Sequence, residues 1–153
     1  MADDRALHLV LDLRKKEEES ALEQYIQANQ AILDFENQLK QLRDFRNVYN
    51  QELAAKTQNG MNMTVFMSYE NFLEKLEQVE KRQETALEKM RERSEVLRQR
   101  YLMMQKRRKI IEALLEKHRQ DAIAAELRAE QKLTDDIVSS KQARLLMEKT
   151  EQK

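Results

Sequence analysis

One glycine and no proline occur in the 153 residues, so the chain has a single position that readily ends a helix. Of the residues, 37% are charged, and cysteine and tryptophan are absent. This composition is unlike that of an ordinary globular domain and is typical of long helices. The glycine, Gly60, follows the polar stretch 57–59. We therefore expect two long helices joined by a bend at Gly60, where glycine can adopt the left-handed conformation that closes a helix.

Apolar residues on both sides of the bend recur at alternating spacings of three and four, the a/d pattern of a coiled coil. Before the bend these positions are Ala21, Tyr25, Ala28, Ile32, Phe35, Leu39, Leu42, Tyr49 and Leu53, with Phe45 beside a polar slot at Arg46. After the bend they are Tyr69, Phe72, Leu76, Val79, Ala86 and Met90, followed by Leu97, Tyr101, Met104, Ile111, Leu115 and His118. The patterns predict an all-α fold, a two-helix antiparallel coiled-coil hairpin with unequal arms.

The hairpin is expected to be a single domain of residues 1–153. Helix 1 is expected at about 3–57, the bend at about 58–64 and helix 2 at about 65–148, with a frayed C-terminus. Thr64 and Ser68 are both candidate N-caps of the second helix. In the predicted antiparallel pairing Tyr49 faces Phe72, and their residue numbers add to 121. For positions of helix 2 beyond Met90, the numbers of the facing residues add to 122. This slip predicts a local change of winding near Met90.

In this register, the residues beyond His118 have no partner within the chain. They nevertheless carry an apolar stripe, and the N-terminal arm is apolar on more than one face. Unpartnered apolar surface implies an intermolecular partner or a frayed helix end. We infer a docking site at the end that bears both termini, formed by Leu7, Val10, Leu11, Ala122, Ala125, Ala129 and Leu133.

Charge and motif content favour protein partners. The formal net charge is zero, with 28 basic and 28 acidic side chains, so no overall field recruits nucleic acid or anionic lipid. The longest apolar stretch, residues 7–13, is far shorter than the roughly 20 residues that cross a bilayer, so direct bilayer insertion is not expected. The basic run 106–109 is interpreted as a solvated stretch of helix, with docking to an acidic protein surface as the alternative.

Catalysis is not expected. A seam between two helices offers no concave pocket that would exclude water. One glycine cannot build a phosphate-binding loop, and His8 and His118 lack the spacing of a metal motif. We therefore expect no cofactor and no enzymatic activity. The methionines at residues 61–67 are expected to fill an irregular corner at the bend, or to offer a soft apolar tip to a partner.

The stretch 39–76, "LKQLRDFRNVYNQELAAKTQNGMNMTVFMSYENFLEKL", resembles the FliJ family of flagellar protein export. The similarity is carried by Phe45 followed by Tyr49, by the bend at Asn59 and Gly60, and by Tyr69 with Phe72 three residues on. It continues weakly through the basic run to the polar tail.

The resemblance implies a shape similar to the central stalk of rotary ATPases. The end with both termini is expected to dock in the hexameric export ATPase, and the hairpin to contact the export-gate membrane protein. Export chaperones are further expected partners. The protein would then lie in the cytoplasm, peripheral to the inner membrane at the flagellar base. Carried over by position, the gate-binding residues are Gln38, Leu42, Phe45, Tyr49, Phe72, Leu76, Val79 and Gln83.

Part of this gate-binding set has a competing interpretation as seam residues. Leu42, Leu76 and Val79 serve equally well to hold the hairpin together, whereas Gln38 and Gln83 are better surface candidates. Three rival functions also remain open. They are the stalk protein of a virulence-type injectisome, a purely structural coiled coil that self-associates, and a nucleic-acid binder that uses residues 106–109.

Overall fold

The computed structural model describes the backbone of residues 2–151 and the side chains of residues 4–151. Within them lie two helices, α1 (Ala2–Gln58, 57 residues) and α2 (Met63–Glu151, 89 residues), which pack against each other. No strand occurs in this part of the chain. The predicted all-α hairpin is therefore confirmed, and both helices are slightly longer than expected. Fraying was expected beyond about residue 148; residues 149–151 are helical, and residues 152 and 153 lie outside the described residues.

Gly60 forms the bend, as predicted. Its φ of 86° is in the left-handed region, and it is the single residue with positive φ in the described backbone. The amide of Gly60 donates to the carbonyl of Thr57 and the amide of Asn59 to that of Ala55, each at 3.3 Å. These bonds satisfy carbonyls that the end of α1 would otherwise leave free.

The second helix is capped by Asn62, so the two predicted N-caps were wrong. The Oδ1 atom of Asn62 accepts a hydrogen bond from the amide of Thr64 at 3.1 Å, which is the geometry of an N-cap side chain. Thr64 lies inside the first turn. Ser68 lies one turn further on and donates from its hydroxyl to the carbonyl of Thr64 at 3.2 Å.

The residues fall into two compact units, which are described separately. The bend unit is Lys16–Gln105, and the terminal unit comprises Met1–Lys15 with Lys106–Lys153. In both units α1 and α2 pair along one seam, so neither unit has a core wider than the contact between two helices.

The seam of the bend unit follows an unbroken heptad pattern on both helices. On α2 the seam positions, all buried or half-buried, are Phe66, Tyr69, Leu73, Leu76, Glu80, Gln83, Leu87, Met90, Ser94, Leu97, Tyr101 and Met104, and Ala86 and Gln105 beside the seam are also half-buried. The seam positions alternate by three and four throughout, so the slip predicted near Met90 was wrong. The prediction failed because it placed Phe72, Val79 and Ala86 in the seam, where the structure places Leu73, Glu80 and Leu87.

The apolar part of this seam is small. Ile32, Leu39 and Leu87 form its buried cluster, and Phe35, Leu42 and Met90 pack against it. The pairs Ile32 with Met90 and Phe35 with Leu87 have residue numbers that add to 122, the sum that also fits the terminal unit.

A charged layer interrupts the seam one step towards the bend. Glu80 is only 6% exposed. Its Oε1 accepts a hydrogen bond from Arg43 Nε at 2.9 Å, and its Oε2 lies 2.7 Å from Arg46 Nη1. This second contact lacks the angles of a hydrogen bond, so Glu80 Oε2 is buried without one. Arg46 Nε is likewise buried without a hydrogen-bond partner. This layer is incompletely satisfied, and it contributes less stability than a well-packed apolar layer would.

Replacing Gly60 with alanine is expected to lower the free energy of unfolding by roughly 1–2 kcal/mol, the usual cost of a Cβ in the left-handed region. No atom lies within 4 Å of the position that a Cβ would occupy, so the cost is conformational and not steric. Gly60→Asn serves as the control and should cost less, because asparagine tolerates this conformation. Equal denaturation midpoints for wild type and Gly60→Ala would contradict the assignment.

Replacing Glu80 with leucine is expected to lower the free energy of unfolding by about 1–3 kcal/mol, because it leaves Arg46 partly buried without a partner. The double variant Glu80→Leu/Arg46→Met should regain wild-type stability or exceed it. Glu84→Gln is the matched control. Its side chain is 48% exposed, and loss of its ion pair with Arg43 should cost less than about 1 kcal/mol in urea denaturation. A double variant less stable than Glu80→Leu would refute this interpretation.

Candidate functional site

One edge of the bend unit is exposed and, apart from a single glutamine, apolar. It consists of residues that recur every seven positions beside the seam: Gln38 and Phe45 on α1, and Val65, Phe72 and Val79 on α2. We call these five residues the apolar edge. The rings of Phe45 and Phe72 meet edge to face with their centroids 6.4 Å apart, which places the two helices' contributions side by side. Large side chains exposed in a contiguous row mark an interaction surface.

Stacked aromatic rings support the apolar edge from the seam. Tyr49 lies 4.7 Å from both Tyr69 and Phe72 between ring centroids. Lys56 donates a hydrogen bond to the hydroxyl of Tyr69, and this bond raises the pKa of the lysine. Packed rings have little rotamer freedom, so the edge is held ready for a partner at low entropic cost.

The opposite edge of the same unit is charged. Arg43 donates to Glu84 at 2.6 Å, and Arg91 donates to Glu36 at 3.1 Å, so ion pairs bridge the helices along this side. The bond to Glu84 is the main cause of the raised pKa of Arg43. A partner that seeks apolar surface would therefore select one edge of the unit over the other.

The structure divides the eight predicted gate-binding residues into two groups. Four are exposed on the apolar edge: Gln38, Phe45, Phe72 and Val79. Four are half-buried in the seam: Leu42, Tyr49, Leu76 and Gln83. Val79 was thus wrongly considered as a seam residue, and Gln83 is not the surface residue that was expected. Val65 was missed, although its position seven residues before Phe72 could have revealed it.

The tip beside Gly60 is uncharged. Residues 57–69 contain no Asp, Glu, Lys or Arg, in a chain with 37% charged residues. Met63 and Met67 are exposed, whereas Met61 and Phe66 are half-buried. The methionines therefore both fill the corner and leave apolar side chains exposed at the tip.

The terminal unit has a second apolar surface. Leu7 and Leu11 are half-buried at seam positions, and they hold α1 to α2 more than they face solvent. Where the two helices of this unit pair, the exposed large apolar residues are Leu9 and Leu13 on α1 and Ile110 and Leu114 on α2, and others follow further along α2. Val10 is half-buried at the boundary between seam and surface. Of the predicted docking residues on α1, Val10 therefore remains the best placed.

A shallow groove of about 510 Å³ lies where α1 begins beside α2. Leu11, Leu115 and Ala122 form its apolar floor, and charged side chains form its rim. On that rim Nδ1 of His118 lies 3.0 Å from Oδ1 of Asp4. Arg119 donates two hydrogen bonds to Glu116, and these lower the pKa of that carboxyl group. The groove joins apolar and charged contacts in the manner of a protein-binding surface.

The part of α2 that follows His118, residues 119–151, is called the C-terminal extension, and its first residues, among them Arg119 and Ala122, line the groove. Every residue in it is exposed. It includes Ala122, Ala125, Ala129 and Leu133, the other members of the predicted docking site. The expectation that this segment lacks an intramolecular partner therefore agrees with its exposure.

The remaining candidates from the sequence are the basic run 106–109 and the two histidines. Arg108 is half-buried and donates to Glu112 at 2.7 Å, whereas Lys106, Arg107 and Lys109 are exposed. His8 and His118 line the same groove. Across residues 4–151, no group of three or more His, Asp or Glu side chains is arranged to hold a metal ion. No described helix is long and apolar enough to span a membrane.

Exposed apolar surfaces on a two-helix hairpin define a coiled-coil interaction protein. A family model described as "Flagellar FliJ protein" matches residues 3–153. The chain therefore belongs to the FliJ family, whose members are components of flagellar protein export. The resemblance inferred from Phe45, Gly60 and Phe72 is confirmed.

Two curated relatives agree with this assignment. The Flagellar FliJ protein of Escherichia coli K12 is 26% identical over 137 residues, which cover 90% of this chain and 93% of that protein. The Flagellar FliJ protein of Salmonella typhi is 25% identical over 137 residues, which again cover 90% of this chain and 93% of that protein. No solved structure was found to match the chain.

Proposed function

We propose that this protein links the hexameric flagellar export ATPase to the membrane protein of the export gate, and that it also binds export chaperones. In this arrangement it works in the cytoplasm at the inner face of the membrane, as a stalk-like helical hairpin without chemistry of its own. The observation that carries the proposal is the presence of exposed apolar surface in both units. A purely structural coiled coil would not need the apolar edge.

The apolar edge of the bend unit is the proposed contact for the export gate. Phe45, Phe72 and Val79 are exposed, and Tyr49 supports them from the seam. Aromatic side chains held in place by their neighbours are typical centres of binding energy. Leu42, Leu76 and Gln83 act indirectly in this proposal, because they set the spacing of the two helices beneath the edge.

The terminal unit is the proposed contact for the ATPase ring. Val10, Leu13, Ile110 and Leu114 supply its apolar surface, and the C-terminal extension continues beyond it. Leu7 and Leu11 support this surface from the seam. The membership in a flagellar family favours flagellar export over an injectisome for this pairing.

The gate contact is tested by Phe45→Ala and Val79→Asp. Each should weaken binding to the purified cytoplasmic part of the export-gate protein by about tenfold or more, because each removes or charges exposed apolar area. Isothermal titration calorimetry measures the change, and circular dichroism should report unchanged helicity. Val96→Asp, at a valine 57% exposed in the same unit but more than two heptads from Val79, is the matched control. Equal losses in Val79→Asp and Val96→Asp would argue against the edge.

The ring contact is tested by Leu13→Asp. This variant should reduce capture of the export ATPase by about tenfold while leaving gate binding intact, since a charge on a contact surface must be desolvated. Leu13 is 52% exposed, so its replacement should not unfold the seam. Leu33→Asp, at a leucine 60% exposed in the bend unit, is the control. Undiminished ATPase capture by Leu13→Asp would rule out this surface.

A further inference from the structure

The C-terminal extension continues the seam of the terminal unit without a change of phase. Among the seam positions of that unit are Arg108, Ile111, Leu115 and His118, spaced by three and four. The same steps lead on to Ala122, Ala125, Ala129, Lys132, Asp136, Ser139, Ala143 and Leu146. These eight residues are all exposed. The extension thus carries the face that pairs two helices elsewhere in the chain, but α1 begins at Ala2 and lies beside only the first residues of the extension.

This face is complementary to itself when a second copy is laid antiparallel. Residues whose numbers add to 268 then face each other across the seam: Ala122 with Leu146, Ala125 with Ala143, Ala129 with Ser139, and Lys132 with Asp136. Each small residue meets a small or apolar one, and the two charged residues meet each other. Because the pairing has two-fold symmetry, every one of these contacts occurs twice.

Charge beside the seam fits the same register. On one flank Arg128 faces Asp135 of the second copy, again twice by symmetry. A parallel arrangement in the same heptad phase would instead oppose Lys132 to Lys132 and Asp136 to Asp136. Charged residues at core and flanking positions are the usual determinants of orientation in coiled coils. The pattern therefore favours the antiparallel pair specifically.

The length of the extension also matches the span of this antiparallel pairing. The symmetry axis falls at Thr134, near the middle of residues 119–151. The second copy would reach the level of His118, which is where Asp4 of the same chain closes the intrachain seam at 3.0 Å. The second copy's extension would therefore continue the seam of α1 along the same face of α2.

We propose that the C-terminal extension is a self-association segment, through which two copies of this chain form an antiparallel dimer in register about Thr134. The alanine-rich seam buries little apolar area, so the dimer is weak and depends on its ion pairs for orientation. The inference rests only on this chain's own residues. It stands or falls independently of gate and ring binding.

The dimer is tested with the full-length chain by sedimentation equilibrium. Wild type should dimerise with increasing concentration. Lys132→Asp and Asp136→Lys should each raise the dissociation constant by about tenfold or more, because each turns two attractive pairs into two repulsive ones. An equimolar mixture of these two variants should regain the wild-type constant, and so should the double variant. Lys141→Asp, on the outer face of the same helix, is the matched control and should leave dimerisation unchanged.

Orientation is tested by cross-linking, for which the absence of cysteine gives a clean background. Ala125→Cys mixed with Ala143→Cys should yield a disulfide-linked dimer, whereas either variant alone should not. A wild type that remains monomeric at every concentration would overturn the proposal. So would single charge variants that dimerise as wild type does, a mixture that fails to recover, or cross-linking of Ala125→Cys with itself.

Discussion

The pairing of α1 with α2 along a single heptad seam determines what the rest of this protein can be. Two helices in contact bury only the stripe between them, and the buried hydrophobic residues among those described are Ala21, Ile32, Leu39, Leu87 and Leu97. No described side chain is fully enclosed. Because so few of the described side chains are buried, many large apolar side chains remain exposed. The same geometry leaves two edges beside the seam, and these edges can differ in chemistry.

The polar residues of the seam give this pairing its specificity. Glu80 forms ion pairs with both Arg43 and Arg46. The hydroxyl of Ser94 donates a hydrogen bond to Asn29 Oδ1 at 2.7 Å. An apolar seam of uniform character would tolerate a shift by a heptad at little cost, whereas these partners meet in one register only. The unsatisfied atoms of the Glu80 layer indicate that it contributes less to stability than to alignment. Alignment matters here because the apolar edge exists only when Phe45 and Phe72 lie side by side.

Sequence reasoning recovers the hairpin, the bend and the seam of α1, but it misplaces the seam of α2 between residues 72 and 86. Two long apolar patterns around a single glycine permit little besides two paired helices, and Gly60 adopts the expected left-handed conformation. The choice between Phe72 and Leu73, or between Val79 and Glu80, could not be made by hydrophobicity. In each case the more conspicuous apolar residue is exposed, and in the second case a carboxylate is buried. The correct register requires the three-and-four spacing to run through polar residues such as Gln83 and Ser94 without interruption.

That error has a physical meaning, because the residues that appear to break the heptad pattern lie on the exposed edge beside the seam. Phe72 packs against Tyr49 and Phe45 yet is 38% exposed, and Val79 is 39% exposed, so both keep apolar area that the pairing of the helices does not cover. The C-terminal extension presents the converse case. There Ala125, Ala129 and Leu146 occupy seam positions, and all three are exposed. The proposed dimer covers this seam face with a second copy, whereas the proposed ring contact lies beside the seam at Val10, Leu13, Ile110 and Leu114. The two proposals therefore assign different faces of the terminal unit to different partners.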